Sequence, residues 1–425
     1  MNKKRLLVVS IDSMVTEDLS ILKQLPHFKM LLDESSVILR NEATYPTFTH
    51  SIHTAIATGC YPATHGVIGN EYFQPGNMKP TWFDHSSDVK VPLIQTLAKQ
   101  HGYSVACIYW PLSQGAPLDW ILYRKAYYTP QDKEQAQVRE RSTPGLFDEM
   151  YPYIKDTFSM DSVYSSDQLC GNACAYMIDT YQPDVMYTHL ISIDTIRHHK
   201  GVFGEHILKT YEFLDGVIGQ MIDALKRQGL WDKTIFNVTA DHGHLDIARV
   251  VSINRFFKDH GLISTDAAGN LTDWKAYLHS CALSGHIYIK DNDSAVAKQT
   301  YKLLSEHKKE LDIETIFTRE EVSAKYHLDG GFTYVIESNG AATFSADYNA
   351  PLRIESGSKD YRYAVATHGH EPWKGVQPTY FIRNPYTDKR LVLAKGRIID
   401  QAPTLAKMLG FDMPDADGVP RKELL

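Results

Sequence analysis

The stretch that most constrains this chain is residues 234–246, where a short apolar run ends in Asp241, His242 and Gly243. The pattern predicts a buried strand that presents an oxygen ligand and a nitrogen ligand at its carboxyl end, where open α/β sheets place their sites. Taken alone, Asp-His-Gly is equally consistent with a buried histidine hydrogen-bonded to a carboxylate. The functional interpretation therefore depends on whether the pattern recurs.

The pattern does recur along the chain. Three further apolar runs end in ligand-type side chains: residues 6–10 in Asp12, residues 185–193 in Asp194 with His198 four positions on, and residues 363–366 in Thr367 and His368. Asp194 and His198 can bind one ion if they lie on a helix, with the adjacent His199 as a competing ligand. We therefore predict that four strands converge on one metal centre.

Length and composition set the class of protein. The chain has 425 residues, 43% of them hydrophobic, which suffices for a large α/β domain with a cap or for two domains. A formal charge of −7 without a basic stripe argues against nucleic acid as the partner. The five cysteines are irregularly spaced and favour reduced thiols. No apolar run reaches the ~18 residues of a membrane span, so we expect a cytoplasmic enzyme of undetermined oligomeric state.

A polar stretch at residues 45–70 contains the candidate nucleophile. Thr49 is predicted to lie in the first turn of a helix, where unpaired backbone N–H groups and the helix dipole favour a phosphate. By itself the stretch favours Thr47 or Thr49 as a cap of the helix at 50–57. The metal centre changes this balance, because a divalent cation can turn a threonine hydroxyl into a nucleophile at neutral pH.

Two longer regions are predicted to surround the site. Residues 112–160 are rich in aromatic and turn residues and are expected to be loops that shape a substrate pocket. From 251 to 360 short elements alternate with turns, which indicates a cap or inserted subdomain. The predicted catalytic core is then residues 1–250 together with 361–425.

The ligand types indicate the metal. Carboxylates and imidazoles without thiolate favour Zn²⁺, with Mn²⁺ or Fe next. We expect Asp12, Asp241 and His242 to bind one ion beside Thr49. A second ion is expected on Asp194, His198 and His368. Such a pair suits in-line displacement at phosphorus.

In this order, the residues resemble the alkaline phosphatase superfamily, and most closely its type I phosphodiesterase/nucleotide pyrophosphatase branch. The matching positions are Asp12, Thr49, Thr58-Gly-Cys-Tyr-Pro-Ala-Thr-His-Gly66, Asn70, Asp194 to His198, Asp241-His242-Gly243 and His368-Gly369. The resemblance implies an α/β three-layer sandwich with a central mixed, mostly parallel sheet and a smaller cap. It also implies a covalent phosphoryl group on Thr49, with Asn70 and the Thr49 N–H binding the non-bridging oxygens.

The sequence departs from that branch at two positions. His50 follows the nucleophile where the family usually has a phenylalanine that stacks on a nucleobase, and Arg197 precedes the histidine ligand where the family more often has glycine. Arg197 is either a contact for a charged substrate group or a structural cation. The predicted substrate-binding residues are His50, Arg197, Tyr72 and Trp110.

The substrate is predicted to be a small phosphoester. Pro46-Thr-Phe-Thr49 and Gly69-Asn-x-x-Phe73 also resemble phosphonoacetate hydrolase, a C–P-cleaving relative, which gives a phosphonate as the alternative substrate. A further alternative is a metal-binding protein that has lost its activity. The complete ligand set and the retained Thr49 argue against that alternative.

Overall fold

The protein is built on a central sheet of eight strands in the computed structural model, which describes residues 3–123, 131–159 and 162–425. Seven strands run parallel, and only Tyr380–Arg383 is antiparallel to its neighbours. Across the sheet the order is Val392–Arg397, Ser35–Glu42, Tyr380–Arg383, Thr234–Thr239, Arg5–Ile11, Val185–Leu190, Val105–Ile108 and Trp120–Leu122.

Helices cover both faces of this sheet, because successive apolar side chains of its strands point to opposite faces and both faces must be buried. Leu7 and Val9 point into one hydrophobic core, which includes residues of the helices Ser165–Thr180 and Glu205–Arg227. Leu6 and Val8 point into another core on the opposite face, which the helices Thr49–Thr58, Ile94–Gln100 and Gln401–Leu409 help to form. The arrangement confirms the predicted α/β three-layer sandwich with a mixed, mostly parallel sheet.

The described residues form nine further α-helices. They are Leu19–Leu22, Pro26–Asp33, Pro62–His65, Gln131–Arg141, Leu146–Ile154, Ser192–Lys200, Ile253–Asp259, Ser294–Glu306 and Arg319–Tyr326. None of the helices within the described ranges has the length and apolar character needed to cross a membrane.

A smaller sheet lies within residues 251–360. Its four antiparallel strands, in spatial order, are Ala276–Cys281, Ser284–Ile289, Tyr334–Ser338 and Ile313–Thr318. This sheet has its own hydrophobic core, formed with the helices at 253–259 and 294–306. A third sheet joins Ala342–Ser345, Arg249–Ser252 and Arg353–Glu355. The division into a core at 1–250 and 361–425 and a cap at 251–360 stays a prediction.

Two local predictions were wrong. Residues 112–160 were expected to be loops outside the sheet, yet Trp120–Leu122 forms its edge strand and two helices follow. Residues 124–130 and 160–161 of this stretch lie outside the described residues. The strand before His368 was expected to belong to the central sheet. Instead, Ala366–Thr367 pairs with Leu245–Asp246, the segment just after the Asp-His-Gly run.

Candidate active site

Three neighbouring strands deliver the candidate metal-binding carboxylates to one edge of the sheet. Asp12 directly follows the strand Arg5–Ile11, and Asp241 lies two residues beyond Thr234–Thr239. Asp194 lies in the first turn of the helix Ser192–Lys200, just after the strand Val185–Leu190. Because these strands are parallel and adjacent, their carboxyl ends bring the three aspartates together.

Asp12, Asp241 and His242 form a first cluster, in which the ligand atoms lie within 4.8 Å of one another. His242 Nε2 lies 3.5 Å from Asp12 Oδ1 and 3.3 Å from Asp241 Oδ2. Thr49 Oγ1 lies 3.2 Å from the same His242 nitrogen. The structure thus places the predicted nucleophile beside this predicted ligand set.

A second cluster contains Asp194, His198, His244 and His368, also with ligand atoms within 4.8 Å of one another. Asp194 Oδ1 lies 3.3 Å from His198 Nε2, 3.2 Å from His244 Nε2 and 3.8 Å from His368 Nε2. The helical i, i+4 spacing selects His198, whereas His199 is exposed. His244 is a member of this cluster that the sequence prediction missed.

Neither candidate threonine caps its helix. The helix Thr49–Thr58 has Phe48 at its N-cap position without a side-chain capping bond. Thr47 Oγ1 instead accepts a hydrogen bond from Gly369 N–H at 2.9 Å. Asn70 lies beside the first turn of the helix, because its Oδ1 accepts a hydrogen bond from His50 N–H at 2.9 Å. Thr49 and Asn70 are therefore neighbours at the positive end of this helix.

The two clusters differ in charge balance. Burial raises the pKa of Asp12 well above its ordinary value, and repulsion from Asp194 and Asp241 adds to this. Burial also raises the pKa of Asp241 to about 7, although a hydrogen bond from Ser13 N–H opposes the shift. For Asp194 burial acts in the same direction, but attraction from His198 outweighs it and lowers the pKa well below its ordinary value.

Burial has the opposite effect on the histidines. It lowers the pKa of His242 and His244 well below the ordinary value, and that of His368 to about 4. Their imidazoles are consequently neutral at pH 7, the form that binds metal ions.

The donor atoms fit a pair of divalent cations. Asp12 Oδ1, Asp241 Oδ2, Asp194 Oδ1 and His244 Nε2 are buried and have no hydrogen-bond partner within the described part of the chain. Buried polar atoms without partners are rare because each costs free energy. Mixed carboxylate and imidazole donors suit zinc or manganese, and a cation would compensate the repulsion among the carboxylates.

Two predicted substrate-binding residues lie beside Asn70. His50 Nδ1 bonds Phe83 O, and its ring meets Trp82 edge to face at 5.0 Å. Tyr72 packs on Phe83 with ring centroids 4.0 Å apart. Because Phe83 N–H donates to Asn70 O at 2.9 Å, this aromatic group adjoins Asn70 and the candidate nucleophile Thr49.

The other two predicted contacts lie in the interior. Trp110 is 4% exposed and packs against His53 and Tyr187 in the core. Arg197 is fully buried, and its guanidinium donates to both oxygens of Asp18 at 2.7 and 2.8 Å. Both side chains are buried in the interior, and a substrate contact for either one stays a prediction. Of the two readings of Arg197, the structure supports the structural cation.

Two histidines that the sequence analysis did not select lie behind the first cluster. His189 Nε2 is 3.3 Å from Asp12 Oδ2, and His53 Nδ1 is 3.6 Å from Asp241 Oδ2. His189 lies within the strand that leads toward Asp194, and His53 lies one helical turn after Thr49. The available signal was a histidine inside an apolar strand and another inside a helix, neither of which indicates a site by itself.

Comparison with known proteins identifies the family. Residues 6–370 match the family model described as type I phosphodiesterase / nucleotide pyrophosphatase. Among curated proteins, bis(5'-adenosyl)-triphosphatase ENPP4 of Bos taurus is 24% identical over 260 residues, which cover 59% of this chain and 49% of the relative. Ectonucleotide pyrophosphatase/phosphodiesterase 1 of Saccharomyces cerevisiae is 25% identical over 226 residues, 48% of this chain and 28% of the relative. The chain spans about half or less of the length of these curated relatives.

A solved structure matches nearly the whole fold. Murine ectonucleotide pyrophosphatase / phosphodiesterase 5 superposes with a TM-score of 0.69 at 16% identity, over 98% of this chain and 97% of that one. The match covers both the central sheet and residues 251–360. On the family-model match, this chain belongs to the type I phosphodiesterase / nucleotide pyrophosphatase family.

Proposed function

We propose that this chain is a two-metal hydrolase of phosphoric esters that uses Thr49 as a covalent nucleophile. The observation that carries the proposal is the position of Thr49 Oγ1, 3.2 Å from a nitrogen of the first cluster and at the start of a helix. The second cluster adjoins the first, since the rings of His242 and His368 stack at 3.7 Å. One phosphoryl group could therefore lie between both clusters.

The residues that would bind the ions follow from the donor geometry. Asp12, Asp241 and His242, together with Thr49, would hold one ion. Asp194, His198 and His368 would hold the other. We propose zinc, with manganese as the second choice, because no thiolate takes part. When bound, such ions lower the pKa of a hydroxyl or water and stabilise negative charge on phosphoryl oxygens.

The chain's own groups would then carry out two displacements. Thr49 Oγ attacks phosphorus, so that a bond to Thr49 forms while the bond to the leaving alcohol or phosphate breaks, and the Thr49 proton is transferred through solvent to the leaving oxygen. The Asn70 amide and the Thr49 N–H would donate to the non-bridging oxygens as charge builds up. Water then attacks phosphorus from the opposite side, which releases the phosphorylated product and returns the proton to Thr49.

We propose a small-molecule phosphodiester or pyrophosphate as the substrate class. The names of the relatives support this choice, since one is a bis(5'-adenosyl)-triphosphatase and the other an ectonucleotide pyrophosphatase/phosphodiesterase. His50 and Tyr72 are half-buried and place aromatic rings near Asn70, which suits a flat substituent. The substitution of His50 for the usual phenylalanine keeps a phosphonate in the test.

The experiment compares hydrolysis of bis(p-nitrophenyl) phosphate, p-nitrophenyl phosphate and phosphonoacetate by the zinc-loaded protein, with and without a chelator. The proposal predicts a diester preference that chelation abolishes. Thr49→Ala should reduce kcat at least ~1,000-fold while about two metal ions stay bound. Preferential cleavage of phosphonoacetate would replace the proposed substrate class. Full activity of Thr49→Ala would refute the covalent mechanism, and two bound ions without turnover of any substrate would support the inactive alternative.

A further inference from the structure

His244 has the surroundings of a metal ligand, although the family motifs in the sequence do not include it. The side chain is 1% exposed, and its Nε2 lies 3.2 Å from Asp194 Oδ1. The Nε2 atoms of His198 and His368 approach the same oxygen at 3.3 and 3.8 Å. Three imidazole nitrogens thus converge on one carboxylate oxygen, as they would around a shared cation.

The other ring nitrogen of His244 is fixed in the same way as in the two predicted histidine ligands. Its Nδ1 bonds Ser13 Oγ at 2.7 Å. In His198 and His368 the Nδ1 atoms bond the backbone oxygens of Ala366 at 2.8 Å and Thr47 at 2.7 Å. A metal-binding histidine commonly uses its second nitrogen for such a bond, which fixes the tautomer and the ring orientation. All three rings are therefore oriented with Nε2 toward the second cluster.

Ser13 connects the two clusters. It directly follows Asp12 and adopts a left-handed backbone conformation with φ of 64°. This conformation directs its N–H to Asp241 Oδ1 at 3.0 Å, while its hydroxyl bonds His244. A non-glycine residue in this region is strained, and such strain is concentrated at functional sites. One residue therefore positions a side chain in each cluster.

We infer that His244 is a fourth protein ligand of the second metal ion and that Ser13 is the residue that positions it. The inference rests on the proposed two-metal function. A catalytic zinc site usually has three protein ligands and keeps the fourth position for water or substrate. With His244 included, a substrate oxygen would be the fifth ligand of this ion, which favours metals that accept five-fold coordination.

The test measures zinc affinity rather than activity. Metal-stripped wild type, His244→Ala and Ser13→Ala are titrated with Zn²⁺ against a chromophoric chelator, and the metal content is determined by mass spectrometry. His286→Ala is the matched control, since His286 is fully buried in the smaller sheet and stacks on Phe332. Ser13→Ala removes only the hydroxyl bond to His244, because the bond to Asp241 comes from the backbone.

We expect wild type and His286→Ala to bind about two zinc ions with equal affinity. His244→Ala should weaken the second site at least ~100-fold, and Ser13→Ala by ~10–100-fold, as for other outer-shell partners of metal ligands. Zinc-edge X-ray absorption should count fewer imidazoles per zinc in His244→Ala. Circular dichroism of the metal-free variants checks folding. If His244→Ala is unfolded, the zinc affinity of Ser13→Ala tests the inference instead.

Unchanged second-site affinity in both folded variants would overturn the inference and leave His244 as a buried partner of Asp194. Failure of the proposed function looks different, because the wild type itself would then bind no second ion.

Discussion

Asp241 is a buried carboxylate whose ionisation is costly in the metal-free protein, since burial raises its pKa to about 7. A carboxyl group with a raised folded-state pKa contributes stability that is present below the unfolded pKa near 4 and is lost as the pH rises through about 7. The pKa of Asp194 is shifted in the opposite direction, because attraction from His198 outweighs burial and lowers it. Its contribution is present above the unfolded pKa and is lost at lower pH.

This contrast predicts opposite effects for two isosteric substitutions. In the metal-free protein, Asp241→Asn should gain stability relative to wild type between pH 5 and pH 8, on the order of a few kcal/mol. Asp194→Asn should be destabilised throughout this range. Thermal unfolding of both variants at several pH values, in the presence of a chelator, gives the measurement. Parallel pH profiles of the two variants would show that the charge balance described here is wrong.

Residue types at strand ends predicted most of the aspartates and histidines that meet, although His244 was missed. Asp12, Asp241 and His242 form one group, and Asp194, His198 and His368 lie in the other. The three aspartates follow neighbouring parallel strands, which leave few other arrangements for them. Arg197 and Trp110 could not be placed in this way. Whether a long side chain points to a pocket or to the interior depends on partners distant in sequence, here Asp18 and Tyr187.

The buried ion pair gives a prediction for Arg197. Arg197→Met should destabilise the protein by ~3–5 kcal/mol, because Asp18 is left as an uncompensated buried charge. Adding Asp18→Leu should recover part of this loss. Urea unfolding gives the stabilities, and KM for the best substrate should change less than about twofold in the folded protein. A large rise in KM for Arg197→Met without loss of stability would restore Arg197 as a substrate contact.

At the scale of elements, the segment that carries His368 is held between the core and the smaller sheet. Gly369 has φ of +93°, and its N–H donates to Thr47 Oγ1 at 2.9 Å. A Cβ at this position would lie 2.0 Å from Cys281 O at the end of a strand of the smaller sheet. Only glycine satisfies both the conformation and the close approach.

A matched pair of glycine substitutions tests this contact. Gly410 has a similar φ of +96°, but a Cβ there would meet nothing within 4 Å, so Gly410→Ala reports the backbone strain alone, about 1 kcal/mol. Gly369→Ala should lower the free energy of unfolding clearly more than Gly410→Ala does. It should also weaken zinc binding at the second cluster, because His368 must shift. Denaturant unfolding and zinc titration are the measurements. Equal losses of stability and unchanged zinc affinity in the two variants would mean that the His368 segment accommodates a Cβ without strain.

Short elements were the least predictable from sequence. Trp120–Leu122 and Ala366–Thr367 pair over only three and two residues, so their partners are set by the tertiary structure rather than by a periodic pattern. The long helix Glu205–Arg227 shows the opposite case, since buried apolar residues recur along one face of it with the helical period.

On the scale of the whole molecule, the central sheet and the smaller sheet both contact segments that carry the two candidate ligand clusters. The sheet supplies Asp12, Asp194 and Asp241, and the Thr49 helix begins directly over the same edge. The segment with His368 contacts the smaller sheet through Gly369, whose carbonyl accepts from Ser284 Oγ at 2.6 Å. The superposition with murine ectonucleotide pyrophosphatase / phosphodiesterase 5 covers all of these parts. Thr49 lies where these parts meet.

The most direct measurement is a rapid acid quench of the zinc-loaded protein during turnover of bis(p-nitrophenyl) phosphate, followed by peptide mass spectrometry. The account predicts that the peptide containing Thr49 gains the mass of a p-nitrophenyl phosphoryl group, and that Thr49→Ala shows no adduct. Turnover by the wild type with no adduct on any peptide, or with an adduct on another residue, would contradict Thr49 as the nucleophile.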